Sequence, residues 1–176
     1  MLIIEGPDGS GKTTLIGQLE ERLGVTREPR AVTSSAEVIK PMGQYALDEI
    51  AKGYGRRIYD RFNLISSPFY CMLPNPTFRD ELRDQEWLMN TWIKFRQVGP
   101  VIIVCLPPLE VVKENCLSDD TSKVAQGDIE TIYWLYHNFA AQYPWVAAVY
   151  DYTKQDITDL EYIISLMVSR IGKEAS

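Results

Sequence analysis

Histidine is nearly absent from this 176-residue chain, which has His137 alone. Without a second histidine, neither a histidine metal cluster nor a histidine relay has support. Cysteine is scarce as well. Cys71, Cys105 and Cys116 are odd in number and lack metal-ligand spacing. They read as reduced thiols, the expectation for a cytoplasmic protein or one made in a host cytoplasm. Long hydrophobic runs are missing too. Val101 to Leu106 is among the longest and is far too short to span a bilayer, so no membrane partner is expected. The chain enters its first strand at once, leaving no room for a signal peptide. A positive surplus is also lacking. The net charge of −6 argues against broad, non-specific nucleic-acid binding, though not against a local basic patch. Arginine is absent between Arg96 and Arg170, so the cationic side is built mainly from the first half, where Arg27, Arg30, Arg56, Arg57 and Arg61 lie.

What is present suits a single domain, 1–176, with a full core: 45% of the residues are hydrophobic and 24% charged. Strand and helix signals alternate. Met1 to Ile4 reads as a buried strand and Thr14 to Leu23 as a helix ending at Gly24. Val25-Thr26 starts a second strand. A helix near Ala36 to Ile39 is interrupted by Pro41 and resumes from Tyr45 to Ala51. Arg57 to Asp60 is a third strand. Phe78 to Val98 reads as a long helix, with Leu82, Trp87, Leu88, Trp92 and Phe95 near one face. Val101 to Leu106 is apolar throughout, as in a parallel sheet covered on both faces. A helix runs from Pro107-Pro108 through Cys116. Leu117 to Gly127 is a polar loop. Asp128 then caps a helix whose stripe is Ile129, Ile132, Tyr133, Tyr136, Ala140 and Tyr143. This aromatic stripe reads as core, and the lone His137 beside it as structural. Val146 to Tyr150 is a fifth strand, and Ile157 to Ile171 a closing helix. The alternation predicts an α/β fold of three layers, with a five-stranded parallel sheet flanked by helices.

The chemistry concentrates at Gly6-Pro7-Asp8-Gly9-Ser10-Gly11-Lys12-Thr13, which fits G-x-x-x-x-G-K-[ST] between a strand and a helix. Gly9, Ser10, Gly11, Lys12, Thr13 and Thr14 are the residues expected to bind nucleotide. The glycines let successive N–H groups turn inward as an anion nest at a helix N-terminus. Lys12 would reach the β- and γ-phosphates of ATP, and the Thr13 hydroxyl would bind Mg²⁺. Asp8, Glu28, Asp60 and Arg61 fall at strand ends on the side where open α/β sheets bind ligands. A carboxylate there holds Mg²⁺ through water or accepts a proton from an attacking hydroxyl. An arginine clamps an acceptor phosphate or stabilises the transferring group. Lys12, Asp8, Glu28, Asp60 and Arg61 are therefore the catalytic candidates, with Thr13 and Asp60 on the metal. Plain strand-end ion pairing of Asp60 with an arginine is the bland alternative.

Four stretches line up with thymidylate kinases: Glu5 to Thr14, Thr26-Arg27-Glu28-Pro29, Asp60-Arg61-Phe62, and Val101 to Val111 with its Pro-Pro-x-x-Val. They resemble that family's E-G-x-D-G-x-G-K-[ST]-T loop, its T-R-E-P segment, its D-R-[YHF] motif, and the strand and helix start leading to its lid. The resemblance implies phosphoryl transfer from ATP to a (deoxy)nucleoside monophosphate. It also implies Arg27, Arg30, Phe62 and Tyr70 at the substrate, a lid at 117–127, and a possible homodimer. The chain departs from the family in two places. No F-x-x-x-R occurs between Arg30 and Tyr59, so the thymine pocket is truncated or rebuilt. The phosphate loop holds no arginine and the lid offers only Lys123, a cation without the bidentate fork. An alcohol acceptor is the alternative. Glu28-Pro29 is similar to the Glu-Pro pair of deoxynucleoside kinases, and a missing base-enclosing insert would open the site to hydroxymethyluracil within DNA, flipped or single-stranded. A GTPase-type switch lacks support, because neither D-x-x-G after the third strand nor N-K-x-D is present.

Overall fold

The structure, a computed structural model, describes residues 1–28, 42–52, 57–73, 85–118 and 128–166. Five parallel strands form one sheet: β1 (Leu2–Glu5), β2 (Thr26–Arg27), β3 (Arg57–Asp60), β4 (Val101–Cys105) and β5 (Val146–Tyr150), in the order β2-β3-β1-β4-β5. The helices are α1 (Lys12–Leu23), α2 (Met42–Ala51), α3 (Asn63–Cys71), α4 (Gln85–Val98), α5 (Leu109–Ser118) and α6 (Ile129–Gln142). A 3₁₀ turn at Ile157–Leu160 runs into helix over 161–166. Among the described residues no helix is long and apolar enough to cross a membrane.

Alternation along the strands fills both faces of the sheet. Ile3, Ile102 and Val104 join one core with Phe62, Phe95, Ile132 and Tyr136. Leu2, Ile4, Ile103 and Cys105 join the other with Leu15, Ile16 and Leu19 of α1. Successive strand residues point to opposite faces, so a strand covered twice must be apolar throughout. Each fully buried aliphatic side chain contributes about 1.5–3 kcal/mol. The chain leaves β1 toward β2 on one side and leaves β4 toward β5 on the other. The strand order reverses beside β1, and the crevice outside the carboxyl ends there is the ligand position of open α/β sheets.

Elements mostly fall where periodicity put them, with described ends displaced by one to three residues. The first helix starts at Lys12, two residues before Thr14, because Gly11 adopts φ +81 and turns the loop directly into it. Its C-cap is Gly24, whose N–H donates to Glu20 O. Asp128 occupies the N-cap position of α6 without a side-chain hydrogen bond to the helix, so the expected cap is positional only. The α6 stripe is buried at Ile129, Ile132, Tyr133, Tyr136 and Phe139, whereas Tyr143 ends the helix partly exposed. The helix α3 had no counterpart in the sequence reading. Pro68 lies inside it, and an interior proline argues against helix because it removes a backbone donor. Arg30, Lys123, the helix at Ala36 to Ile39, Pro41, the start of the long helix at Phe78, the loop 119–127 and the end of the closing helix lie outside the described residues.

Candidate functional site

Three carbonyls of the phosphate loop are tethered by side chains. Gly6 O accepts from Arg61 Nε at 3.3 Å and Nη2 at 3.2 Å. Pro7 O accepts from Ser10 Oγ at 2.8 Å and from Lys12 Nζ at 2.5 Å. Gly9 O accepts from Asn115 Nδ2, on α5, at 2.8 Å. Side chains from the end of β3, from the loop itself and from α5 thus each hold one of these carbonyls. The Lys12 ammonium also reaches Ser10 Oγ at 3.4 Å. Burial, followed by the neighbouring Arg61 charge, lowers Lys12 to about 8, against the pull of Asp8 and Asp60. Thr13 and Thr14, in the first turn of α1, are exposed.

Arg61 enters the site on a strained backbone. It follows β3 with φ +67, the only described non-glycine residue in the left-handed region. That conformation costs of order 1–3 kcal/mol and persists only where the surroundings impose it. Two bonds to β1 impose it here. Arg61 N donates to Ile4 O at 2.9 Å, and Phe62 N donates to Glu5 Oε1 at 2.7 Å. The guanidinium then reaches Asp8 Oδ1 at 2.6 Å and lies over the Tyr70 ring at 5.0 Å. Tyr70 also donates to Asp8 Oδ2 at 3.1 Å. Burial works against the Arg61 charge, but Tyr136, Tyr70 and Asp8 outweigh it and keep the group protonated. Burial likewise opposes ionisation of Asp8. The Arg61 and Lys12 charges, with bonds from Arg61 and Tyr70, hold its carboxyl below the ordinary range.

Glu5 is wholly buried at the end of β1. Its Oε2 accepts from Tyr136 on α6 at 2.9 Å. Burial pushes this carboxyl up to about 7, although the Phe62 N–H, Arg61, Tyr136 and Lys12 all favour its charged form. Tyr136, which periodicity assigned to the core, thus also serves the site. Asp60 ends β3 beside β1, opposite Ile4, and its Oδ1 is buried with no hydrogen-bond partner. A buried carboxylate oxygen left without a donor is costly and marks a place prepared for one.

The structure therefore gathers Asp8, Ser10, Lys12, Arg61 and Tyr70, with Asp60 at the adjoining strand end. Other candidates go elsewhere. Arg27 turns to α1 and pairs with Glu20 at 3.0 Å. Phe62, expected at the substrate, is core: it stacks on Phe95 and meets Tyr59 edge-on, because its backbone N–H is the part bound to Glu5. Glu28 belongs to a second charged group, 3.8 Å from Arg57, which lies 3.7 Å from Glu49. Glu49 also accepts from Tyr59 at 2.8 Å and pairs with Lys52. Ser66 donates to Phe62 O within α3 at 3.2 Å. The sequence reading missed Asn115 and Tyr152. Asn115 Nδ2 donates to Tyr152 Oη at 2.8 Å as well as to Gly9 O, and no motif announces either residue. His137 is exposed on α6 beside Trp134.

No protein-family model matches this chain, and no curated protein matches it either. Solved structures do. The Bacillus subtilis YorR protein, in complex with phosphorylated GDP, is 17% identical, with a TM-score of 0.70 over 96% of this chain and 95% of that one. The deoxyadenosine kinase of M. mycoides with bound dCTP is 19% identical, with a TM-score of 0.55 over 96% of this chain and 100% of the other. The same kinase with bound dATP gives 18% and 0.55. At these identities the likeness establishes a shared fold alone: a five-stranded parallel sheet between helices.

Proposed function

We propose that this chain is a kinase that transfers the γ-phosphoryl group of ATP, with Mg²⁺, to a nucleotide-like acceptor. One observation carries the reading. A backbone forced to φ +67 delivers the Arg61 guanidinium to the phosphate loop, onto Gly6 O and Asp8, in the loop that also holds Lys12. Phosphoryl transfer needs positioning and charge stabilisation more than covalent chemistry. Loop N–H groups and Lys12 bind the donor phosphates, and Arg61 neutralises charge on the group in flight. Asp8 and Tyr70 fix the guanidinium before substrate arrives, so little reorganisation is needed at the moment of transfer.

The donor set fits Mg²⁺. The unpartnered Asp60 Oδ1 and the exposed Thr13 hydroxyl are hard oxygen donors, and Mg²⁺ takes one or two such ligands with phosphates and waters. Bound there, the ion would neutralise the phosphates and polarise the transferring group.

Two acceptors are compatible with this centre. A (deoxy)nucleoside monophosphate, as in thymidylate kinases, already carries its oxyanion and needs no base. The T-R-E-P and D-R-F stretches support it. A hydroxyl acceptor, on a deoxynucleoside or on hydroxymethyluracil in DNA, needs a base. The engagement of Arg27 by Glu20 rather than by the site favours this second reading. The deoxyadenosine kinase structures share the fold and lend it further support.

Single-turnover transfer from ATP by wild type, Asp60→Asn and Glu28→Gln separates the acceptors. Rates that rise with pH in wild type, with that rise abolished in one carboxylate variant, identify a hydroxyl acceptor and its base, whereas a slower Asp60→Asn that keeps the rise assigns Asp60 to the metal. A phosphate acceptor leaves Glu28→Gln near wild type. ATP turnover indifferent to every nucleoside, nucleotide and DNA acceptor would overturn the proposal.

A further inference from the structure

The glycines of the phosphate loop are required partly by what leans on them from outside. A Cβ on Gly11 would lie 2.8 Å from the Tyr152 ring, which follows β5. A Cβ on Gly9 would meet Val112 O at 2.8 Å and Cys116 Sγ at 2.9 Å, both on α5. Asn115 joins these two walls. Its amide nitrogen donates one hydrogen to Gly9 O and the other to Tyr152 Oη, each at 2.8 Å. The Gly9 carbonyl only accepts, so the amide can face it only with its nitrogen.

The peptide between Gly9 and Ser10 is trans and planar. Its N–H therefore points opposite to its carbonyl. With the carbonyl drawn outward to α5, the Ser10 N–H is aimed at the inner side of the loop. A peptide free to flip would present a carbonyl oxygen there instead, which repels an anion. Resting on the phosphate-binding role proposed above, we infer that Asn115 is a positioning residue. Its double hydrogen bond, braced by Tyr152, holds the Gly9–Ser10 peptide in the orientation that binds a polyphosphate. The ligand chemistry concerned is the polyphosphate chain itself, whichever base it carries.

The test is binding of ATP and of inorganic tripolyphosphate, by calorimetry, to wild type, Asn115→Leu, Asn115→Ala and Tyr152→Phe. Leucine keeps the branched shape of asparagine without either hydrogen bond, and Tyr152→Phe keeps the ring on Gly11 but removes the hydroxyl. Both Asn115 variants are expected to weaken ATP and tripolyphosphate alike, by about tenfold, the worth of one lost hydrogen bond that also frees a peptide. Tyr152→Phe should weaken both about two- to threefold, and adding it to Asn115→Leu should cost nothing further. Three results would overturn the inference. One is a lowered melting temperature with unchanged affinities, which makes the contact structural only. The second is weakened ATP with unchanged tripolyphosphate, which puts Asn115 on the nucleoside instead. The third is a wild type that binds neither probe, which removes the kinase reading as well, whereas the first two leave that reading standing.

Discussion

The strand β3 carries an arginine at each end, and the two are used in opposite ways. Arg57 opens the strand on regular backbone and meets Glu28 and Glu49 at 3.8 and 3.7 Å. Arg61 follows the strand on a left-handed backbone and meets Asp8 at 2.6 Å. The Arg57 cluster ties β2, β3 and α2 together: Glu49 is covered and also bonded to Tyr59 and Lys52. The Arg61 cluster stores strain and leaves Asp60 Oδ1 unpartnered beside it. On the proposed function, the satisfied Arg57 cluster on relaxed backbone serves stability, and the strained Arg61 beside an unsatisfied group serves transfer. The same residue type, four positions apart, thus falls on the two sides of that division.

The largest expected effect breaks the functional side. Lys12→Ala should lower phosphoryl transfer by at least about 10³-fold, as loss of a preorganised cation at a transferring group does. Circular dichroism and urea unfolding should show the fold retained. Arg61→Gly comes next, with transfer falling by about 10²–10³-fold. Its stability should change by less than about 2 kcal/mol, because the lost Asp8 pair is offset by relief of the left-handed strain. Arg57→Ala should reverse that pattern, costing about 2 kcal/mol of stability with transfer reduced far less, since it uncovers Glu49. If Arg57→Ala were the catalytically dead variant and Arg61→Gly the unstable one, the comparison would be inverted.

Glu5 sharpens the comparison through pH. Its carboxyl is pushed up to about 7 in the folded chain, from an ordinary value near 4.5. The folded state then holds a proton that the unfolded state has released. Stability from this group is complete below about pH 4.5 and falls as pH rises to about 7, by roughly 3 kcal/mol at most. Glu5→Gln mimics the protonated form and should flatten that segment of the curve when urea unfolding is measured at pH 5 and pH 8. An unchanged slope would mean that Glu5 is ionised throughout. Gly11→Ala probes the loop backbone itself. It should cost roughly 1–3 kcal/mol for its backbone conformation, with the clash against Tyr152 added. Tyr152→Ala in the same protein should recover the clash and leave the backbone part.

The meeting of the Gly6–Thr13 loop with Arg61 was legible in the chain because its signals are local: glycines, a lysine and a charged pair at set spacings beside apolar strands. The sheet was legible for the same reason, since Val101 to Cys105 is apolar on both faces. Asn115 was not, because its meaning lies in contacts with Gly9, 106 positions away, and Tyr152, 37 away. Tyr136 was read as core and is core, yet its hydroxyl reaches Glu5, and periodicity carries no information about a hydroxyl. Arg27 was misleading because an arginine at a strand end looks alike whether it faces a ligand or Glu20. The helix α3 stayed hidden behind Pro68, whose missing N–H is tolerated there by a fold that packs Phe62, Leu64 and Ile65 into the core.

The measurement that reaches the central claim most directly is transfer from γ-labelled ATP with Mg²⁺ into three acceptor pools: deoxynucleoside monophosphates, deoxynucleosides, and DNA bearing natural or hydroxymethylated pyrimidines. Wild type and Arg61→Gly are run side by side. Label is expected in one of these pools with wild type and is expected to be almost wholly lost with Arg61→Gly. Label released only as inorganic phosphate, or transfer undiminished in Arg61→Gly, would contradict that claim.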